Sequence, residues 1–198
     1  MKKLADEIQN ADYHELDVTS LDSMRAFVDT AREQHGRVDV LVNNAGVMLL
    51  SRVEALRIDE WNQMIDVNLR GTLHGIAAVL PHMRSEKSGH IINVASTAAH
   101  RVDPTAAVYC ATKFAVRVLS EGLRQENEDV RVTVVSPGYT KTELADHGTD
   151  QEVRTAVRAA TDQIGLPAEA VADAIAYAIA QPDTVDVNEV LIRPTSQG

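Results

Sequence analysis

The sequence predicts an α/β fold with a doubly wound parallel sheet. Short runs rich in valine and isoleucine alternate along the chain with longer stretches of helical periodicity. These runs show little alternation of polar and apolar residues, which is typical of parallel strands buried on both faces. Successive strand, helix and strand units connect by right-handed crossovers and place helices on both faces of the sheet. Since 198 residues, 44% of them apolar, suffice for one core, we expect a single domain over residues 1–198.

Four runs are predicted as the strands of this sheet, at residues 38–42, 90–95, 130–135 and 189–192. Valine and isoleucine dominate these runs, and both favour extended backbone. A weaker candidate strand covers residues 13–16.

The helices are predicted between these strands, at residues 21–34, 57–80, 106–126, 151–164 and 168–180. In the first of them, Met24 and Val28 belong to an apolar stripe of helical spacing, and Ser20 is a candidate N-cap. Pro81 is expected to end the second helix, because proline lacks a backbone N–H. Residues 1–10 are predicted to be the end of a further helix.

Charge and composition exclude several classes of partner. The chain has 19 basic and 29 acidic residues, a formal charge of −10, and its cations are scattered. We therefore expect no nucleic-acid and no membrane partner, because both require clustered cations or an apolar span. Acidic residues near Met1 do not suit a signal peptide, and Cys110 has no cysteine to pair with. Both observations predict a cytoplasmic protein.

Three residues suggest acid–base chemistry. Tyr109 and Lys113 are four apart on a predicted helix, hence on one face, and Ser96 follows the carboxyl end of a predicted strand. Lowering a phenol pKa from about 10 to about 7 requires about 4 kcal/mol. An ammonium group about 4 Å away supplies that amount at an effective dielectric of about 20. Tyr109 would then act as acid and base, with Ser96 bonding a substrate oxygen. On this spacing alone, a solvated tyrosine–lysine pair on the helix surface is the alternative and the better supported one.

Asn68 is a polar residue on the apolar face of the second predicted helix. Trp61, Met64 and Ile65 begin that face, and residue 68 is its next inward position. A buried amide needs hydrogen-bond partners. The spacing leaves two interpretations open, a structural asparagine bonded to a nearby carbonyl and a functional one.

Together these motifs resemble the short-chain dehydrogenase/reductase family, whose fold is Rossmann-like. The order and spacing agree for five elements: Asn43-Asn44-Ala45-Gly46 after a strand, Asn68, Ser96, Tyr109-x-x-x-Lys113, and Pro137-Gly138 after another strand. The segment from Asn188 to Thr195 resembles the branch of NADP-dependent 3-hydroxy acid and serine dehydrogenases.

The resemblance implies a catalytic tetrad of Asn68, Ser96, Tyr109 and Lys113. Tyr109 would protonate the carbonyl oxygen as hydride arrives, and Ser96 would orient that oxygen. Lys113 would bind the nicotinamide ribose and lower the tyrosine pKa, and Asn68 would hold a water in a proton relay.

The resemblance also implies a nicotinamide cofactor, NADP, with NAD as an alternative. Asp17 and Val18 would contact the adenine, and Asn44, Ala45 and Gly46 would line the adenosine side. At the other end, the implied contacts are Tyr109, Lys113, Pro137, Gly138, Tyr139 and Thr140 near the nicotinamide and Thr142 near the pyrophosphate.

The sequence departs from the family pattern at its beginning. Family members open with a strand, a glycine-rich turn that binds the pyrophosphate, a helix and a second strand, and the printed sequence lacks this unit. The candidate glycines Gly71 and Gly75 lie inside a helical pattern and follow no strand, so they fit helix packing better. We expect an incomplete N-terminal end, with residues preceding Met1; a neighbouring chain covering the gap and a fragment with impaired cofactor binding are the alternatives.

The resulting expectation is an NAD(P)-dependent carbonyl reductase or alcohol dehydrogenase that acts on a small carbonyl or hydroxyl substrate. A truncated, non-catalytic remnant with a structural or interaction role is the rival hypothesis. An epimerase or dehydratase shares Tyr-x-x-x-Lys but needs a larger substrate domain. By family analogy we expect a homo-oligomer, a tetramer or a dimer, with the two long helices in the interface.

Four further predictions concern the surroundings of the site. The seven histidines and one cysteine show no metal-ligand spacing, so no metal site is expected. His100 is interpreted as an exposed loop residue, with substrate contact as the alternative, and Cys110 as a small buried hydrophobe. Residues 48–50 are interpreted as pocket lining or core, and residues 143–160 occupy the family's lid position.

Overall fold

The computed structural model describes residue 5, residues 7–8 and residues 10–197. Its strands are β1 (Val40–Asn43), β2 (His90–Val94), β3 (Arg131–Pro137) and β4 (Glu189–Ile192). Its longer helices are α1 (Leu21–His35), α2 (Ile58–Met64), α3 (Gly71–Glu86), α4 (Ala107–Gln125), α5 (Gln151–Ile164) and α6 (Ala168–Ile179). A π-helical segment (Ile65–Arg70) and three 3₁₀ segments (Val53–Ala55, Thr97–Ala99, Glu143–Asp146) complete these elements.

The four strands form one parallel sheet in the order β1-β2-β3-β4. This sheet and the helices that flank it confirm the predicted α/β fold class. Within the described residues the order runs in one direction only, so the reversal that defines a doubly wound sheet is not among them. All four strands end at the same edge of the sheet, which is where parallel α/β sheets place their ligands.

Each face of the sheet is covered by different helices. Ile91 of β2 and Val132 of β3 point to one face, where they form a core with apolar residues of α1, α3 and α4. Ile92 and Thr133 alternate to the other face and are fully buried. On that face α6 packs against β3, and Arg131 donates to the Ala178 carbonyl at 3.3 Å.

Local sequence explains how several helices begin and end. The Ser20 hydroxyl accepts from the Ser23 N–H at 3.2 Å, which confirms the predicted N-cap of α1. Gly36 ends α1 with φ +87°, a conformation that glycine adopts without steric cost. At the end of α3, Lys87 takes φ +49°, and the Ser88 N–H donates to the Met83 carbonyl at 3.1 Å, a Schellman motif.

Two predictions about elements are wrong. The predicted helix over residues 57–80 is interrupted by the π-helical segment and continues through Pro81 to Glu86. Pro81 and Ala77 are both exposed, so the carbonyl that proline leaves unbonded faces water, while Met83 beyond it is buried. Residues 13–16 form no strand, because no described strand lies beside them. The helix predicted over residues 1–10 lies mostly outside the described residues.

Candidate active site

A cavity of about 950 Å³ lies at the carboxyl ends of the strands. Ser96 lines it from the segment after β2, and Tyr109 and Lys113 line it from the first two turns of α4. Pro137 and Gly138, at the end of β3, complete this side of the cavity. The topology thus brings together residues that are up to 42 positions apart.

Tyr109 and Lys113 share one face of α4, as their spacing predicts. Both are buried, with 6% and 5% of their surface exposed. The Lys113 Nζ donates to the Val94 carbonyl at 2.8 Å and lies 5.9 Å from the centroid of the Tyr109 ring. The ammonium group is therefore anchored at the end of β2, beside the ring of the tyrosine.

Burial shifts the pKa values of Tyr109 and Lys113 in opposite directions. It raises the pKa of Tyr109 to about 12, although a hydrogen bond with Ser96 acts in the opposite direction. It lowers the pKa of Lys113 to about 8, because a buried ammonium loses its hydration. The expected lowering of the Tyr109 pKa by Lys113 is therefore not found here. Tyr109 is a neutral phenol at pH 7, the form that can donate a proton.

Ser96 is fixed by the backbone around it. It caps the 3₁₀ segment Thr97–Ala99, because its Oγ accepts from the Ala98 N–H at 3.1 Å. The same hydroxyl lies 3.4 Å from the Pro137 carbonyl, to which it can donate a long hydrogen bond. Ser96 thus lies between the β2 and β3 ends, with Tyr109 as a further partner.

Asn68 lies in the π-helical segment and is 1% exposed. Its Oδ1 accepts from the Val47 N–H at 2.8 Å, and its Nδ2 donates to the Val47 carbonyl at 2.9 Å and to Thr112 Oγ at 3.1 Å. These three hydrogen bonds of the Asn68 side chain all go to other residues of the protein. The hydrogen bonding favours the structural interpretation, in which Asn68 holds the loop after β1, and the water relay stays a prediction.

Most of the predicted cofactor residues line this cavity: Asn44, Ala45, Gly46, Tyr109, Lys113, Pro137, Gly138, Tyr139, Thr140 and Thr142. Gly46 lies beside both Asn68 and Lys113, because a Cβ at this position would be 3.4 Å from Asn68 Oδ1 and 3.7 Å from Lys113 Nζ, which are ordinary contact distances. The ammonium of Lys113 has three N–H donors and uses one on Val94, which leaves two for the hydroxyls of a ribose. These residues fit the nicotinamide end of a dinucleotide.

Asp17 and Val18 are not among the cavity-lining residues. The exposed Asp17 carboxylate accepts from the N–H and the hydroxyl of Thr19 at 2.9 and 2.7 Å. The side-chain hydrogen bond from Thr19 is the main reason why the Asp17 pKa is lowered. Val18 packs against Gly71, and its carbonyl lies 2.9 Å from His74 Nδ1. Their contact with adenine stays a prediction.

Several residues of the cavity are not predicted from the sequence. Gln197 lines it, and its Oε1 accepts from the Tyr139 N–H at 3.0 Å. One side of α6 also lines it, including Ile175 and Ile179. No sequence signal marks these positions, because Gln197 lies in a terminal segment and the α6 residues read as ordinary helix core. Met48 and Leu50 were expected as pocket lining or core, and both line the cavity.

The remaining predictions near the site have mixed outcomes. Cys110 is 1% exposed, which confirms the interpretation as a buried small hydrophobe, and burial raises its thiol pKa. His100 lies outside the cavity lining and pairs with Glu189. Among the described residues, no three His, Cys, Asp or Glu side chains cluster as metal ligands would. Their helices include none with the length and apolarity needed to cross a membrane.

Comparison with known proteins identifies the relatives of this chain. The family model of the short chain dehydrogenases matches residues 1–153. An uncharacterised oxidoreductase of Staphylococcus saprophyticus is 51% identical over 188 residues, which are 91% of this chain and 75% of that protein. An uncharacterised oxidoreductase of Listeria monocytogenes is 44% identical over 185 residues, with the same shares covered.

Solved structures agree with these sequence matches. The closed form of a serine dehydrogenase complexed with NADP+ superposes with a TM-score of 0.91 at 31% identity. An alcohol dehydrogenase from the archaeon Thermococcus sibiricus, complexed with 5-hydroxy-NADP, superposes with a TM-score of 0.87 at 29% identity. Both alignments cover 100% of this chain and 82% of the other. On this evidence, the chain belongs to the short-chain dehydrogenase family of oxidoreductases.

Proposed function

We propose that this protein is an NADP-dependent oxidoreductase that transfers hydride between the nicotinamide and a small carbonyl or hydroxyl substrate. The observation that carries the proposal is the position of Ser96, Tyr109 and Lys113, which line one cavity together with the residues that fit a nicotinamide ribose. When bound, the nicotinamide supplies or accepts the hydride. NADP is proposed over NAD because structural neighbours are complexed with NADP.

The residues of this chain would handle the proton and the geometry. The neutral Tyr109 phenol donates its proton to the carbonyl oxygen as the carbon is reduced, since burial holds its pKa at about 12. Ser96, whose Oγ is held by the Ala98 N–H, turns its single hydroxyl hydrogen away from the Pro137 carbonyl and donates it to the same oxygen. Lys113 binds the ribose hydroxyls with its two remaining N–H groups and stabilises the phenolate left after transfer.

The cavity supports a small, partly polar substrate. Met48 and Leu50 give it an apolar wall, while His147 and Arg101, which pairs with Asp103 at 3.3 Å, add polar groups to the lining. A hydroxy acid offers both an apolar carbon chain and an anionic group. We therefore propose a small hydroxy acid or the corresponding carbonyl compound, in keeping with the likeness to a serine dehydrogenase.

Replacing Tyr109 by phenylalanine tests this function. Turnover of L-serine or 3-hydroxybutyrate with NADP+ is expected to fall by at least about 100-fold, because general acid–base catalysis contributes about 10²–10⁴. NADPH binding, measured by nucleotide fluorescence, should change much less than turnover, because Lys113 and the other residues that fit the nicotinamide end stay in place.

Tyr177→Phe is the matched control, because Tyr177 is 58% exposed and outside the cavity lining. It should leave both measurements unchanged. Unchanged turnover in the Tyr109 variant would contradict the proposed role of Tyr109. A wild-type chain that binds no NADPH would favour the non-catalytic remnant instead.

A further inference from the structure

Glu189 lies at the start of β4, outside the cavity lining, yet its carboxylate contacts three different segments. Its Oε1 lies 2.9 Å from His100 Nε2. The Ser136 hydroxyl donates to the same oxygen at 3.3 Å. The Arg117 Nε lies 3.2 Å from each of the two carboxylate oxygens. One anion therefore joins a loop, a strand and a helix.

Each of these partners is close in sequence to a residue of the proposed site. His100 directly follows the 3₁₀ segment that Ser96 caps, and its N–H donates to the Thr97 carbonyl at 3.1 Å. Arg117 lies one helical turn beyond Lys113 on α4. Ser136 directly precedes Pro137 on β3. The three segments thus held are those that carry Ser96, the tyrosine–lysine pair, and the Pro137–Gly138 wall.

The hydrogen bonds to the Glu189 carboxylate can run in one direction only. A carboxylate only accepts hydrogen bonds, so His100 must carry its hydrogen on Nε2 and Ser136 must donate its hydroxyl. Charged hydrogen bonds of this kind are stronger than neutral ones. Ser136 is fully buried, whereas the side chains of Glu189, His100 and Arg117 are 29%, 27% and 42% exposed. Solvent therefore competes for the two outer contacts, and the contact with Ser136 is the shielded one.

We propose that Glu189 is a positioning residue for the reaction. It holds three segments in register: residues 96–100 (the Ser96 loop), the face of α4 that carries Tyr109 and Lys113, and the end of β3. This rests on the proposed function of Ser96, Tyr109 and Lys113. The expected consequence is kinetic, because a displacement of about 1 Å at a reacting group can cost about 10²-fold in rate.

Variants of Glu189 test the proposal through turnover of L-serine or 3-hydroxybutyrate with NADP+. Glu189→Ala should lower kcat about tenfold or more, with KM and NADPH affinity within about twofold. Glu189→Gln should lose less, because its amide oxygen still accepts from His100 and Ser136. Glu121→Ala is the control. Glu121 also pairs with an arginine on α4, Arg124, but lies apart from the site, and its loss should leave kcat unchanged.

Amide hydrogen exchange gives a second measurement that does not depend on activity. In Glu189→Ala, exchange at residues 98–100 should become at least about tenfold faster than in the wild type and in Glu121→Ala, because the Ser96 loop loses its anchor. Unchanged exchange there, or faster exchange with unchanged kcat, would overturn the proposal. A wild-type chain without turnover would instead contradict the proposed function, and exchange would still show whether Glu189 holds the loop.

Discussion

Lys113 carries a charge at a buried position, and burying this charge lowers the free energy of unfolding. Its ammonium has one protein partner, the Val94 carbonyl, and burial lowers its pKa from 10.5 to about 8. At pH 7 the group is protonated in both the folded and the unfolded protein, so folding carries the full cost of burying the charge. That cost is about 3 kcal/mol for a pKa difference of this size.

We therefore expect Lys113→Met to unfold at higher urea concentration than the wild type at pH 7, while losing turnover. The gain in the free energy of unfolding of Lys113→Met over the wild type should shrink as the pH rises from 8 to 10. In that range the native wild-type lysine is neutral whereas the unfolded one still binds a proton, so wild-type stability rises with pH. Urea unfolding followed by the fluorescence of Trp61, the single tryptophan, measures the effect.

Lys141→Met is the control for this experiment, because Lys141 is an exposed lysine. It should show no pH-dependent gain between pH 7 and pH 10. A Lys113 variant whose stability gain is the same at both pH values would show that the buried charge is not its cause.

The residues of the proposed site are predictable because several motifs agree in order and spacing with one family, whereas the tyrosine–lysine spacing alone is common on helices. The structure brings Tyr109, Lys113 and Ser96 into one cavity. Glu189 and Gln197 follow no such pattern. Their importance arises only from tertiary contacts, with Ser136 and Tyr139 respectively, and spacing along one chain contains no information on those contacts.

At the scale of elements, side-chain hydrogen bonds connect β1, β2 and α4 through the half-buried Asn43 and the buried Asn93 and Ser120. The Asn43 Nδ2 donates to Asn93 Oδ1, and the Asn93 Nδ2 donates to Ser120 Oγ, both at 2.8 Å. Helix α3 crosses over these side chains at Gly75, where a Cβ would overlap the Asn43 side-chain oxygen and lie 3.1 Å from its Cγ. Gly75 therefore permits α3 to approach the strand.

Gly75→Ala is expected to destabilise the fold by about 2–4 kcal/mol, because the methyl group displaces Asn43 and leaves the buried Asn93 Oδ1 without its hydrogen-bond donor. Gly122→Ala is the matched control in α4, where a Cβ meets no atom within 4 Å. That variant should gain up to about 1 kcal/mol from helix propensity. Equal effects of the two substitutions in urea unfolding would contradict the packing argument.

The strands and helices were predictable where burial is strong, and less predictable at the partly exposed strands and at the helix ends. β2 and β3 are buried along most of their length, as their continuous apolar runs predict, whereas the outer strands β1 and β4 are partly exposed. Residues 13–16 have strand-like composition, but a strand also needs a neighbour, which composition does not reveal. At Pro81 the local rule predicts a helix end, yet the burial of Met83 favours a further turn.

At the scale of the whole molecule, both predicted interface helices expose apolar side chains. Leu73 on α3 is 42% exposed, and Val118 on α4 is 66% exposed. Singly exposed apolar residues are common on protein surfaces, so the expected homo-oligomer through these two helices rests on family analogy and needs a direct test.

Light scattering coupled to size exclusion tests the assembly. The unaltered chain should elute with a mass two or four times 21.6 kDa, and Leu73→Glu or Val118→Glu should lower that mass, because burying a charge in an apolar interface is unfavourable. Val185→Glu, at an exposed valine in the loop before β4, is the control and should leave the mass unchanged. A folded monomer of the unaltered chain would contradict the assembly.

Cys110 has a practical consequence. It is the only thiol of the chain, it is 1% exposed, and it directly follows Tyr109 on α4. A thiol reagent can reach it only when the start of this helix opens, so the labelling rate reports the opening equilibrium at one known place. The rate at which Cys110 is labelled can therefore be used to follow local opening of the proposed active site in the absence of substrate.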